Sequence, residues 1–159
     1  MVIDNRLLAV EELLRQRKQA AACKELESVT ESEFGQNVLN LGIYLALRAD
    51  SLLPSANYRS IIELGLRSYK LLADSSENKR FGRLQLVLSQ AYSGLGDFRN
   101  AEIRGRDALS TYRRASDTDG QANALNELAW VLFARGDFKG AAAHLEEALA
   151  LESGNPRKV

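Results

Sequence analysis

The sequence is short of most residues that build small rigid or chemically active sites. It has two prolines and eleven glycines in 159 residues, which leaves little room for strand-turn-strand architecture or a flexible linker. One cysteine, Cys23 in "AAACKEL", excludes an internal disulfide and fits a reducing compartment. One histidine, His144 in "AAAHLEEAL", has no second histidine or nearby cysteine with which to share a metal. The glycines of "YSGLGD" at 92–97 are not followed by the Lys-Ser/Thr of a phosphate loop and have no strand before them. No nucleophile–base pair or metal-ligand cluster stands out, so the expectation is no enzyme, no catalytic residue and no cofactor.

Two further lacks narrow the class of partner. Lysine plus arginine equals aspartate plus glutamate, at 21 each, and no forty-residue block has a large net charge, so a nucleic-acid ligand is not expected. The longest apolar run is "LGIYLAL" at 41–47, closed by Arg48, far below a membrane span. The start, "MVIDNRLLAVEELLRQRK", has acids in its first turns and no signal-peptide core. A soluble, cytoplasmic protein without membrane contact is the reading. The length suits one domain over 1–159 with a core of its own.

What the sequence does have is repetition. "GLGDFRNA" at 94–101 returns as "ARGDFKGA" at 134–141. Under the same shift Leu88 falls on Leu128, Tyr92 on Leu132, Ala101 on Ala141, and Ala108-Leu109 on Ala148-Leu149. A further step places Tyr58 under Phe98 and Gly65 under Gly105, and one more places Leu8-Ala9 under Leu88-Ser89 and Ala21 under Ala101. Four units, approximately 1–41, 42–81, 82–121 and 122–159, fill the chain. A period of this length marks a solenoid.

Each unit reads as a helical hairpin. Leu84, Leu88 and Tyr92, and again Leu125, Leu128 and Leu132, have helical spacing. Gly96 and Gly136 then stand where a helix ends in a left-handed residue. Asp97 and Asp137 follow as N-caps, with Phe98 and Phe138 as an aromatic clamp. Gly65 and Gly105 are costly inside a helix and predict a close helix crossing. Thr30 with Glu33, and Thr118 with Gln121, offer capping boxes. The pattern predicts helices near 4–16, 19–31, 36–53, 58–73, 77–95, 98–115, 119–135 and 138–152.

This grammar resembles the tetratricopeptide repeat, with its W-x2-L-G-x2-Y…A-x3-F…A signature. The third unit supplies Gln85, Leu88, Ser89, Tyr92, Ala101, Gly105 and Ala108; the fourth supplies Leu125, Leu128, Ala129, Leu132, Ala141, Leu145 and Ala148. The leading tryptophan is missing, the closing proline is absent or displaced to Pro156, and the period exceeds the usual one by about a turn. The likeness is strong over 82–152 and weak over 1–81. HEAT-type repeats share the period but give no reason for a repeated "GDF" turn. The longer repeat resembles those of bacterial signalling and transcription-regulator proteins, including peptide-pheromone receptors.

The resemblance implies an all-α right-handed superhelix of four hairpins whose first helices line a groove for a protein or peptide. Groove positions in the second unit are then Ile43, Ala46, Asp50 and Leu53; in the third, Arg83, Leu86, Gln90 and Ser93; in the fourth, Asn123, Asn126, Trp130 and Phe133. The two asparagines project from one face, and an amide both donates to and accepts from a peptide backbone. Trp130 and Phe133 could anchor an apolar side chain or could pack against a neighbouring hairpin. The carboxylate clamp of chaperone adaptors is not assembled, because Arg6, Ala46, Leu7, Leu47, Val87 and Glu127 occupy its positions. The last helix is apolar on more than one face, with Ala141, Leu145, Ala148 and Leu149 expected inward. That predicts either a piece of a longer protein or a homodimer through the C-terminal hairpin. The competing function is a self-association scaffold with an unused groove.

Overall fold

The computed structural model describes residues 2–154; Pro156 lies outside them. Among the described residues there are eight α-helices and no strand. They run α1 (Asn5–Arg15), α2 (Gln19–Glu27), α3 (Val38–Ser51), α4 (Tyr58–Leu72), α5 (Asn78–Gly94), α6 (Phe98–Arg114), α7 (Thr118–Ala134) and α8 (Phe138–Ser153), with short 3-10 turns at Glu31–Phe34 and Leu53–Ser55. Two compact units result, residues 1–77 and 78–159.

In the second unit three helices of 17 residues alternate with three-residue turns. Aspartates therefore cap every twentieth position: Asp97, Asp117 and Asp137 accept from the amides of Asn100, Gly120 and Gly140 at 3.1, 3.0 and 2.9 Å. Each side chain satisfies one of the donors that a helix start leaves free. Asn37 and Asn57 continue the series backwards, accepting from Asn40 and Ser60 at 3.1 and 3.4 Å. Gly96 and Gly136 have φ of +77° and +83°, the left-handed turn that the "GDF" phrase predicts.

The first unit packs α1 and α2 against α3, and α3 against α4. Its core holds Leu7, Val10, Ala22, Leu26, Tyr44, Ile61 and Leu72. Tyr44 donates its hydroxyl to the Val29 carbonyl at 2.9 Å, and Ser68, fully buried, donates to the Gly42 carbonyl at 2.7 Å across the α3–α4 contact. Leu7 and Ala22 are inside while Leu8, Ala9 and Ala21 are exposed, so the first hairpin lies one residue out of the forty-residue register. Helix α2 also stops at Glu27 rather than 31, because the Thr30–Glu33 box caps the 3-10 turn instead.

The second unit centres on Leu86, Ala108, Leu109, Tyr112, Ala124, Leu125, Leu128 and Ala148. Gly105 admits helix α7: a Cβ there would stand 2.8 Å from Leu128, which is the close crossing expected. The Tyr112 ring is held between glycines of α5 and α7; a Cβ on Gly82 would meet its Cζ at 2.8 Å, and one on Gly120 its Cδ1 at 2.2 Å. Two expectations need correction. Asp117, not Thr118, caps α7, since an aspartate already precedes the threonine. On α8, Ala141 and Ala148 face inward with Leu151 against the core, whereas Leu145 and Leu149 are 45% and 65% exposed.

Candidate functional site

Helix α7 carries two faces. Ala124, Leu125, Leu128, Val131 and Leu132 are buried against the rest of the unit, which fixes the helix's rotation. The opposite face is thereby forced outward and holds Asn123, Asn126, Trp130 and Phe133, all exposed. Trp130 is 60% and Phe133 54% exposed, so neither packs under a neighbouring hairpin of the unit. Their rings are stacked with centroids 6.2 Å apart and planes at 21°. Phe133 in turn meets Phe138 edge-on at 5.3 Å, and Phe138 is itself 63% exposed. Three aromatic side chains thus form one solvent-facing cluster around the α7–α8 turn. Each could bury well over 100 Å² against a partner.

Helix α5 lies beside α7 in this unit and contributes less than its spacing predicts. Arg83 is exposed and Gln90 and Ser93 half-buried. Leu86 is 2% exposed within the core cluster of α6, α7 and α8 side chains, so it belongs to the core and not to the site. In the first unit Ile43 and Asp50 are likewise buried, Ala46 is half-buried, and Leu53 stands in a 3-10 turn beyond the end of α3. The predicted groove positions therefore come together as an exposed surface on α7, flanked by Arg83 and Gln90.

Two neighbours of this surface escaped the spacing argument. Phe138 is one, read as a clamp within the turn although it joins the exposed rings. Glu127 is the other. Its counterparts forty and eighty residues back are Val87 and Leu47, which are 0% and 7% exposed, yet it is a carboxyl at the α5–α7 seam. Burial pushes its pKa up, against opposing hydrogen bonds from Ser89 and Gln90 and the charge of Arg83. At the end of the hairpin Glu102 is engaged by both Arg106, at 2.8 Å, and Arg135, tying α6 to the α7–α8 turn.

The surface holds amides and aromatic rings, which recognise by hydrogen bonding and burial. Among the described residues no group of histidine, cysteine, aspartate or glutamate could hold a metal ion, and no helix is long and apolar enough to cross a membrane. No curated protein matches the chain. Residues 80–151 match the family model for the tetratricopeptide repeat, a stretch that runs from the first turn of α5 nearly to the end of α8. With its hairpins, its glycine turns and its small-residue crossing, that same stretch, residues 80–151, is similar to the tetratricopeptide repeats, a family of protein-interaction modules.

Proposed function

We propose that the exposed face of α7, with Arg83 and Gln90 of α5 beside it, binds an extended peptide or protein segment. The observation that carries this reading is the cluster Trp130–Phe133–Phe138, three rings joined through Phe133 and each more than half exposed. Contiguous apolar surface of this kind costs solubility unless something covers it. Tryptophan at such a place is among the commonest binding hot spots. Asn126 and Asn123 stand one turn and two turns from Trp130 along the same face, so an extended main chain could exchange hydrogen bonds with the amides while a side chain rests on the rings. In this reading the domain recruits or regulates for a larger bacterial signalling or transcription protein, in the cytoplasm.

The test is a peptide selected from a display library on the purified chain, with its affinity then measured by calorimetry. Trp130→Ala is expected to weaken it by about 2 kcal/mol, roughly 30-fold, with the circular dichroism spectrum unchanged. Equal affinity for the two proteins would refute the assignment.

A second reading rests on a separate observation, the exposure of Leu145 and Leu149 on α8. In it the chain self-associates through its last hairpin and serves as a scaffold. Sedimentation would then show a dimer that Leu145→Glu with Leu149→Glu converts to monomer, while Trp130→Ala leaves it intact.

A further inference from the structure

Helix α6 has one face that α7 covers. Gly105 admits Leu128 of α7 so closely that a Cβ would stand 2.8 Å from it. Leu109 is buried in the core cluster, and Glu102 is engaged by Arg135 at the end of α7. Forty residues on, the same face of α8 carries Ala142, Leu145 and Leu149, preceded by Phe138 as Phe98 precedes it on α6. All four α8 residues are exposed. Their spacing of four, three and four residues sets them in one apolar stripe along three turns, about 16 Å long.

The stripe is complementary to itself in size. Let a second α8 lie antiparallel on the first, as α7 lies on α6 across a three-residue turn, with the two-fold axis between Ala143 and His144. Leu145 then faces the partner's Ala142, and Leu149 faces the partner's Phe138. Two-fold symmetry makes each contact twice, giving four apolar layers. A parallel pair would instead stack Phe138 on the partner's Phe138 and Ala142 on the partner's Ala142, overfilled at one end and hollow in the middle.

Charge favours the same order. Lys139 and Glu146 are exposed and stand seven residues apart on one flank of the stripe. In the antiparallel pair Lys139 lies beside the partner's Glu146, and Glu146 beside the partner's Lys139. Flanking charges of this kind set partner choice and orientation in paired helices. Glu147, next along, is already engaged by Arg113, whereas Lys139 and Glu146 have no ion-pair partner among the described residues.

We propose that α8 pairs antiparallel with α8 of a second copy of this chain, through Phe138, Ala142, Leu145 and Leu149, with Lys139 and Glu146 setting the orientation. This pairing rests on the self-association reading above and gives it a surface, an axis and a register. Phe138 also meets Phe133, so pairing covers one edge of the aromatic cluster.

Sedimentation equilibrium of the full chain at increasing concentration supplies the test. Wild type is expected to dimerise. Lys139→Glu sets acid against acid twice in the dimer, and Glu146→Lys sets base against base twice. Each variant alone should therefore dimerise about tenfold more weakly. An equimolar mixture of the two should recover wild-type association, because the mixed pair restores both attractive contacts. Both side chains are exposed, and circular dichroism checks that the variants fold. If Leu145→Glu with Leu149→Glu abolishes the dimer but the mixture associates no better than the separate variants, the antiparallel register is overturned and the last-hairpin reading stands. A wild-type chain that stays monomeric, or a dimer indifferent to the two leucines, overturns both.

Discussion

Gly120→Ala separates packing from helix propensity more sharply than any other change in this molecule. Within a helix, alanine is favoured over glycine by about 1 kcal/mol, and Gly120 stands in the first turn of α7. Propensity alone therefore predicts a stabilised protein. The new Cβ would lie 2.2, 2.5 and 2.6 Å from three ring atoms of Tyr112, where carbon atoms rest at about 3.5–4.0 Å. The ring would have to retreat by about 1 Å or more, yet its other side already lies against Gly82, close enough that a Cβ there would sit 2.8 Å away. Overpacking of this kind costs about 1–3 kcal/mol, and a ring blocked on both sides belongs at the upper end. The expected net loss is about 1–2 kcal/mol, read from urea denaturation followed by circular dichroism. Gly94→Ala, at the exposed end of α5, serves as the control and should be neutral or slightly stabilising. A Gly120→Ala protein as stable as wild type would show that the ring yields, and would refute the reasoning.

Other expectations follow from the same geometry. Asp117→Ala removes the cap whose carboxylate accepts from Gly120 at 3.0 Å and should cost about 1 kcal/mol, seen as a lower urea midpoint. Glu127 has a raised pKa, so its contribution to stability is present below the unfolded value of 4.5 and lost as pH rises through the folded value. The urea midpoint of wild type should therefore fall relative to Glu127→Gln as pH rises above 4.5, and parallel curves would contradict this. Glu31 behaves in the opposite sense: the hydrogen-bonded Arg67 guanidinium, 2.5 Å away, lowers its pKa. The pair's contribution is present above 4.5 and fades as pH falls. Being largely exposed, it is worth no more than about 1 kcal/mol. Arg67→Met should thus destabilise slightly at pH 7 and be indistinguishable from wild type in acid.

The hairpins were legible because their punctuation is local. A left-handed glycine and an aspartate cap at 96–97 and 136–137 have one physical meaning wherever they occur, and the structure places both turns there. The caps at multiples of twenty residues, Asn37 and Asn57 and then Asp97, Asp117 and Asp137 with Glu77 standing between the two sets, were also present in the sequence but are masked by the forty-residue repeat. Exposure was less legible, because it depends on what a neighbouring helix covers. Leu86 and Asn126 hold matching positions, yet the first is buried in the core of the unit while the second is bare. Leu145 and Leu149 were assigned inward from the burial expected of Gly105 and Leu109, whose position α7 covers; α8 has no such cover within the unit. Glu127 could have been found from the sequence, as the one charged residue in a column of leucine and valine. Its partner Ser89 needed the structure, since the two come together from residues 38 apart.

The central claim is that function resides on the exposed face of α7, and one paired measurement addresses it. Wild type and a variant with Asn123→Ala, Asn126→Ala and Trp130→Ala, both checked by circular dichroism, serve as baits for the same lysate under the same salt. All three side chains are solvent-exposed, so the variant is expected to fold. The account predicts a protein retained by wild type and lost by the variant. Retention of the same proteins by both baits would contradict it.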